Sequence, residues 1–437
     1  MSLETFLGPR RVEFDPPVRG DRIDGERYHS REWMQAEWDR LWQGIWHIGA
    51  MDQDFEEEGD WVRHDFLQES VVIVRQENGS YRAFYNACRH RGNRLALQDA
   101  GGGATLTCSY HGWRWGPDGV LRHAPDADDV VGGNPCGRVK LVELPCAAWG
   151  GMIWYSFDPD IAPLEEWLAP LPKELKAYGL ESWVRVLHLS VEADCNWKVI
   201  RDNFNESYHL PTLHPELDSF INDDYRDTIF EMFPSGHNRM VMKGAQPSAR
   251  DAALAVGVTG PLDAILRQWD IDPTAFAGRA SAARDALAEA RRRSGPTRGH
   301  RHYAGLDASQ LTDYYHYTLF PNVTLTVSAD GYQMLRSEPH PTDPEKCIFD
   351  HWYVMPRVDG MDEVETPVGC LPFRSAEKER FRHGEKTAGF VADQDLSVAV
   401  SQQQGLHSKG FTGALLTSQE KRIQRFHELL NDRLGRR

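Results

Sequence analysis

The spacing of apolar residues changes along the chain, and each change predicts a different kind of structure. After a Pro- and Arg-rich lead, Ser30 opens a run in which Trp33, Met34, Trp38, Leu41 and Trp42 recur near helical spacing. This predicts an N-terminal arm, residues 1–42, whose helix packs on another domain. From Gly44 to about Asp158 the pattern becomes short alternating strands and turns. Residues 70–75 and 80–85 read as strands around the turn Glu77-Asn78-Gly79, and residues 146–157 as a closing apolar strand. Residues 43–158 are therefore a small all-β unit. A Pro-rich linker at 158–163 leads into residues 159–437, where strand and helix patterns mix. Strands are expected at 183–191, 314–327, 332–336 and 347–355. Helices are expected at 197–209, within 251–296, at 375–407 and at 418–434. The fold class is α+β.

Composition narrows the class. The 437 residues suggest two domains or one large one with an insert, and 41% hydrophobic positions with 14 tryptophans are enough for a full core with aromatic-lined interiors. Lys plus Arg number 49 against 65 Asp plus Glu, a formal charge of −16. That balance excludes nucleic acid and anionic membrane as expected partners. No apolar run reaches the roughly 18 residues of a membrane helix, and residues 1–14 lack the apolar centre of a signal peptide. Seven scattered cysteines, an odd number, argue against a disulfide framework and for a reduced, cytoplasmic protein.

Two stretches carry chemistry. The first is Cys88-x-His90, then 17 residues, then Cys108-x-x-His111, with Gly92 and Gly112 close behind. Soft thiolates and borderline imidazoles in this alternation suit a 2Fe-2S centre held by two Cys on one iron and two His on the other. A structural zinc is the alternative, although zinc modules usually pair like ligands within each half. Arg89, Arg91, Arg94 and Arg114 surround these loops. They suit either docking of an acidic electron donor or pairing with local carboxylates.

The second stretch, residues 202–214, holds Asp202, Asn203, Glu206, Tyr208, His209 and His214. On a helix, Asp202, Glu206 and His209 share a face. His214 lies five residues past His209, about 140° away on a straight helix. Pro211 and Pro215 favour a bend that returns it. Two His and one carboxylate on one side of Fe(II) leave positions open for O₂ and water. The carboxylate is local or distant.

The motifs NACRHRGNRL and CSYHGWRWGPDG resemble the Rieske domain of ring-hydroxylating non-haem iron oxygenases. Asn-Trp-Lys followed by Asp-Asn-x-x-Glu-x-Tyr-His-x₄-His resembles their catalytic helix. Ser109 stands where Pro is usual, and Glu206 where most aromatic-ring dioxygenases have Asp. The resemblance implies a helix-grip catalytic domain, an antiparallel sheet under helices. It implies a Rieske 2Fe-2S cluster on Cys88, His90, Cys108 and His111. It implies a mononuclear Fe(II) on His209, His214 and a late Asp, which is Asp395, with Asp393 two residues out of register. Glu206 then bridges to a cluster histidine of a neighbouring subunit in a homotrimer, and Asn203 and Tyr208 support the ligands. The expected role is the terminal oxygenase (α) component of a multicomponent system, with or without a β subunit. A ferredoxin and/or flavin reductase supplies NAD(P)H electrons indirectly, since no nicotinamide or flavin motif is visible. O₂ and an aromatic or cyclic organic substrate meet at the iron, giving mono- or dioxygenation. A monooxygenase or demethylase of quaternary ammonium compounds is the alternative, and a Rieske electron carrier without oxygenase activity the second. The region 217–245, including 223–226 and 236–240, and the strand 314–322 are expected at the pocket or its rim.

Overall fold

A computed structural model describes residues 17–436. The reading of residues 1–14 as lacking a signal peptide lies outside them. The backbone divides into two compact units, Gln35–Pro172 and, together, residues up to 34 with 173 onward. The sequence placed its boundaries at 42/43 and 158/159. Among the described residues no helix is long and apolar enough to cross a membrane.

The smaller unit is built from three antiparallel sheets. One pairs Trp46–Met51 and Cys146–Trp149 with Met152–Ser156. A five-stranded sheet centres on Trp61–Phe66, Glu69–Arg75 and Tyr81–Tyr85, whose β-branched and aromatic residues suit a pleated, half-buried surface. The third joins Leu106–Thr107, Arg114–Trp115 and Leu121–His123. Its core includes Val72, Phe84, Trp113 and Trp115, together with Cys88 and Cys108. His47 and His64 are structural: His47 Nε2 donates to the Trp42 carbonyl at 2.7 Å, and His64 Nδ1 lies 2.8 Å from the Tyr155 hydroxyl.

The larger unit is organised on a nine-stranded sheet. Asn238–Gly244, Tyr314–Leu319, Val323–Val327, Tyr332–Pro339, Cys347–Met355 and Val184–Ala193 run antiparallel in that order. The helices Trp197–Asn203 and Phe390–Leu406 pack together, the first also against Tyr332–Pro339. Their junction is specific. Asn196 caps the first helix by accepting from the Lys198 N–H at 3.0 Å, and Gln403 of the second accepts from the Asn196 N–H at 3.0 Å.

Two helix expectations are corrected. The segment 375–389 is not helical. Glu379–Arg382 forms an edge strand parallel to residues 189–192, burying Phe381 between exposed neighbours. Gly384 and Gly389, at φ 91° and 107°, turn the chain before the helix starts at Phe390. The helix expected over 197–209 stops at Asn203. Continuing it would require the Phe204 carbonyl to take the Tyr208 N–H. That carbonyl instead accepts from His316 Nε2 at 2.6 Å, and the Tyr208 and His209 N–H groups turn to the Glu206 carboxylate. Asp202 consequently does not share a face with Glu206 and His209.

Asp202 has a structural task. Tyr28 donates to it at 2.7 Å and His427 Nε2 at 3.0 Å, while Arg27 donates to His427 Nδ1 at 3.0 Å. Burial holds the His427 pKa below its ordinary value, so its ring is neutral and each nitrogen has one role. This network ties the incoming chain and the helix Lys421–Leu434 to the helix Trp197–Asn203. Tyr28→Phe removes a buried hydrogen bond to a charged acceptor and should cost about 1.5–3 kcal/mol. A lower urea midpoint for the larger unit, with unchanged slope, is the expected result. An unchanged midpoint would mean the network carries no net stability.

Candidate active site

The smaller unit brings Cys88, His90, Cys108 and His111 together at the ends of two loops with the same backbone pattern. Cys88 N–H donates to the Asn93 carbonyl and Gly92 N–H to the Cys88 carbonyl, at 2.8 and 2.9 Å. In the other loop Cys108 N–H donates to Trp113 and Gly112 N–H to Cys108, at the same distances. Gly92 and Gly112 have φ of 78° and 70°, a conformation that glycine adopts without strain. The two imidazoles lie 4.6 Å apart between centroids, and His90 stacks on Trp113 at 4.7 Å. Cys88 and Cys108 are buried, His90 is exposed and His111 half-buried. The pair of thiols thus faces the core while the pair of imidazoles forms an accessible edge.

Electrostatics here suit ligation. Burial pushes the Cys88 thiol up. At Cys108 burial acts the same way, but the N–H groups of Tyr110 and His111 and the Asn93 amide outweigh it and pull the thiol down. Trp115 Nε1 is buried without an oxygen or nitrogen partner and is directed at the Cys88 sulfur. Partial desolvation, with the neighbouring His90 and Arg91, keeps His111 below its ordinary value, and its Nδ1 has no partner. Two sulfurs and an unsatisfied imidazole nitrogen fit a mixed Cys₂His₂ centre. Of the surrounding arginines, Arg91 contacts the Tyr110 hydroxyl at 3.2 Å and Arg94 approaches Asp65 at 3.5 Å. Arg89 and Arg114 are exposed. The other cysteines differ among themselves: Cys195 and Cys347 are buried with sulfurs 4.0 Å apart, while Cys370 is exposed.

In the larger unit His209, His214 and Asp395 each offer a ligand atom, all within 4.8 Å of one another. Asp395 Oδ1 lies 2.9 Å from His214 Nε2 and 3.7 Å from His209 Nε2. Both rings are held from behind. Glu206 Oε1 is 2.5 Å from His209 Nδ1, and Gln394 Oε1 is 2.7 Å from His214 Nδ1. These contacts place hydrogen on Nδ1 and leave both Nε2 atoms converging on Asp395. Burial disfavours the charged form of each imidazole. Glu206 and Asp395 overcome this at His209, and Asp395 and Gln394 at His214, so both pKa values sit above the ordinary one. The site attracts positive charge, and two imidazole nitrogens with one carboxylate on one side suit a divalent iron. Asp393 is occupied elsewhere, accepting from Ala388 N–H at 2.8 Å and Thr387 at 2.6 Å. Gln394 appeared in the sequence only as the neighbour of the expected acid, and nothing in its spacing marked it as the second acceptor.

The triad opens on a cavity of about 440 Å³. Asn203 lines it, with its amide nitrogen buried and unpartnered. The Tyr208 side chain is 49% exposed and does not line it; Tyr208 contributes its N–H to Glu206. Of the expected pocket segments, Tyr314 and His316 line the cavity, while Tyr315 and Tyr317 alternate to the other face. Residues 223–226 and 236–239 do not line it. Asp223 is paired with Arg250 and Asp224 with Arg226. Within the expected region 217–245, Leu217, Phe220, Ile221, Met240 and Met242 supply that wall.

Comparison with known proteins agrees with this division. Residues 45–141 match the family model described as Rieske [2Fe-2S] domain. Residues 180–436 match that described as ring hydroxylating alpha subunit (catalytic domain). The carnitine monooxygenase oxygenase subunit of Escherichia coli (strain K12) is 28% identical over 214 residues, 48% of this chain and 56% of its own length. The chlorobenzene dioxygenase subunit alpha of Cupriavidus sp. (strain PS12) is 29% identical over 214 residues, 44% of each chain. The chain thus spans about half the length of the curated relatives it matches. A crystal structure of the quaternary ammonium Rieske monooxygenase CntA shares the fold at a TM-score of 0.66 and 18% identity, covering 94% of this chain and 95% of that one. A Rieske domain and this catalytic domain imply a Rieske cluster and a mononuclear iron. With two donor sets of the matching chemistry, one in each unit, the chain belongs to the ring-hydroxylating alpha-subunit family of Rieske oxygenases.

Proposed function

We propose that this chain is the terminal oxygenase of a multicomponent Rieske system, hydroxylating an organic substrate with O₂ and reductase-supplied electrons. The observation that carries this reading is the convergence of His209, His214 and Asp395 on a closed-in cavity, in a chain that also holds the Cys₂His₂ loops. Cys88, His90, Cys108 and His111 would hold the cluster, and His209, His214 and Asp395 the iron. When bound, the cluster carries single electrons and the iron activates O₂.

The protein's own residues set the conditions. Glu206 and Gln394 fix the ring orientation and tautomer of the two histidines. Burial pushes His316 down to about 3 and His351 down to about 4, so both are neutral, fixed hydrogen-bonding walls at pH 7. Phe204, Leu210, Phe220, Met240 and Leu335 exclude water from the space beside the triad. By family resemblance, Glu206 also meets the histidine edge of a neighbouring subunit's cluster in a homotrimer, with or without a β subunit. A flavin reductase, with or without a ferredoxin, delivers NAD(P)H electrons.

An aromatic or cyclic substrate suits the lining of Phe204, Phe220, Tyr314, Tyr353 and Phe390. A second reading, oxidation of a quaternary ammonium compound, is favoured by Glu206 in place of Asp and by relatives named for carnitine, choline and glycine betaine. Betaine and carnitine carry a carboxylate, however, and no lysine or arginine lines the cavity among the described residues. An electron carrier without oxygenase activity would have no use for the retained triad.

Oxygen uptake with a surrogate reductase should rise with ring compounds that lack a carboxylate and stay at background with betaine and carnitine. The reverse order would move the protein to the second reading. His209→Ala should abolish substrate-dependent uptake while reductase still bleaches the cluster absorbance; retained uptake would remove His209 from the chemistry. Gln394→Leu should weaken metal binding about 10- to 100-fold in a competition titration. Unchanged affinity would show that the 2.7 Å contact at His214 has no role in ligation.

A further inference from the structure

Beside Glu206 and Asp395 the cavity contains a third carboxylate, which the chemistry above does not use. Asp330 stands in the turn 328–331, which joins Val323–Val327 to Tyr332–Pro339, and it lines the same space as the triad. Its side chain is 42% exposed, and it is one of the residues lining the cavity. Arg291 donates to Oδ2 at 2.6 Å and Tyr303 donates to Oδ1. His302 Nε2 donates to the neighbouring Ala329 carbonyl at 2.7 Å. Burial alone would raise the Asp330 pKa, but Arg291 and Tyr303 hold it below the ordinary value. The group is an anchored carboxylate with one donor on each oxygen. A carboxylate accepts about four hydrogen bonds, so lone pairs remain for a ligand.

Its neighbours have matching chemistry. The hydroxyls of Tyr314 and Tyr353 make no hydrogen bond among the described residues, and both residues line the cavity together with Asp330. Gln333 adds an acceptor. His351 Nδ1 donates to the Ala388 carbonyl at 2.9 Å, and the ring is neutral, so Nε2 must accept. The structure sets Gln333 Oε1 3.0 Å from it. Since an unprotonated Nε2 cannot bond an oxygen, the amide is assigned the other way round, with its nitrogen toward His351 and its oxygen away. Asp395 Oδ1 lies 2.9 Å from His214 Nε2 and 3.7 Å from His209 Nε2, whereas Asp330 pairs with Arg291 and Tyr303, so the two carboxylates have separate partners in one cavity.

We propose that Asp330, with Tyr314, Tyr353 and Gln333, forms a substrate-reading subsite for a hydrogen-bond donor. The substrate is a ring compound bearing a hydroxyl or a protonated amine, and carboxylate-bearing analogues are excluded. This rests on the oxygenase reading for its location, and its test does not require turnover.

Calorimetry on the holoprotein should compare toluene, benzyl alcohol, benzylammonium and benzoate. Benzyl alcohol or benzylammonium should bind at least about tenfold tighter than toluene, and benzoate weakest. The better of the two identifies a neutral or a cationic donor. Asp330→Asn should cost benzylammonium at least about tenfold, strengthen benzoate and leave toluene within about twofold. Tyr353→Phe, which keeps the Arg291 pairing, should weaken benzyl alcohol and not toluene. Equal binding of toluene and both donors, tightest binding of benzoate, or a uniform loss across all four ligands in both variants would overturn the subsite. Oxygen uptake run in parallel separates the two claims. Donor-selective binding without uptake would sink the oxygenase reading alone, and uptake without donor selectivity would sink the subsite alone.

Discussion

The Glu206 carboxylate is the constraint on which the catalytic unit depends. It accepts the Tyr208 and His209 N–H groups and holds His209 Nδ1. By taking those N–H groups it ends helical geometry where a regular helix would carry His209 onward along its axis. The chain bends, a short helix Leu210–Leu213 follows, and His214 returns to within reach of His209. Only then can Asp395, 181 residues from His214, complete the group from a separate helix. A regular helix through 209 would hold its own backbone hydrogen bonds better and would lose the site. The backbone groups are not left unsatisfied, because His316 takes the Phe204 carbonyl and Glu206 the N–H groups.

The same economy shapes the cavity. The sheet supplies alternating residues from adjacent strands, so one face is a wall and the other a core. Besides Glu206, two acids line the space, each with a different set of partners. Asp395 faces two imidazoles and no cation, which invites a metal. Asp330 faces an arginine and a tyrosine, which satisfies its charge and leaves its directional lone pairs. In the proposed reading one carboxylate serves metal binding and the other hydrogen bonding, and the difference lies in what stands behind them.

Much of this was legible in residue order because the donors are local. Cys-x-His and Cys-x-x-His sit within single loops, and each glycine that closes a loop stands directly behind its ligands. His209 and His214 lie five residues apart with prolines marking the bend. What was not legible depends on distant partners. The helix end at Asn203 depends, besides Glu206, on His316, on a strand more than 100 residues later. The strand at 379–382 forms only because residues 189–192 offer an open edge. Asp202 looked like a site residue until Tyr28 and His427, from opposite ends of the chain, claimed it. Asp330 gave no signal at all, since its meaning comes from Arg291 and Tyr303 in the helical segment before the central strands.

The central claim is that two separate metal centres occupy two separate donor sets in one chain. Iron and acid-labile sulfide measured together on anaerobically purified protein test it most directly. Three irons and two sulfides per chain are predicted for the wild type, falling to two irons with sulfide unchanged in His214→Ala. Two irons and two sulfides in both proteins would contradict the mononuclear site. Zinc in place of iron and sulfide would contradict the cluster.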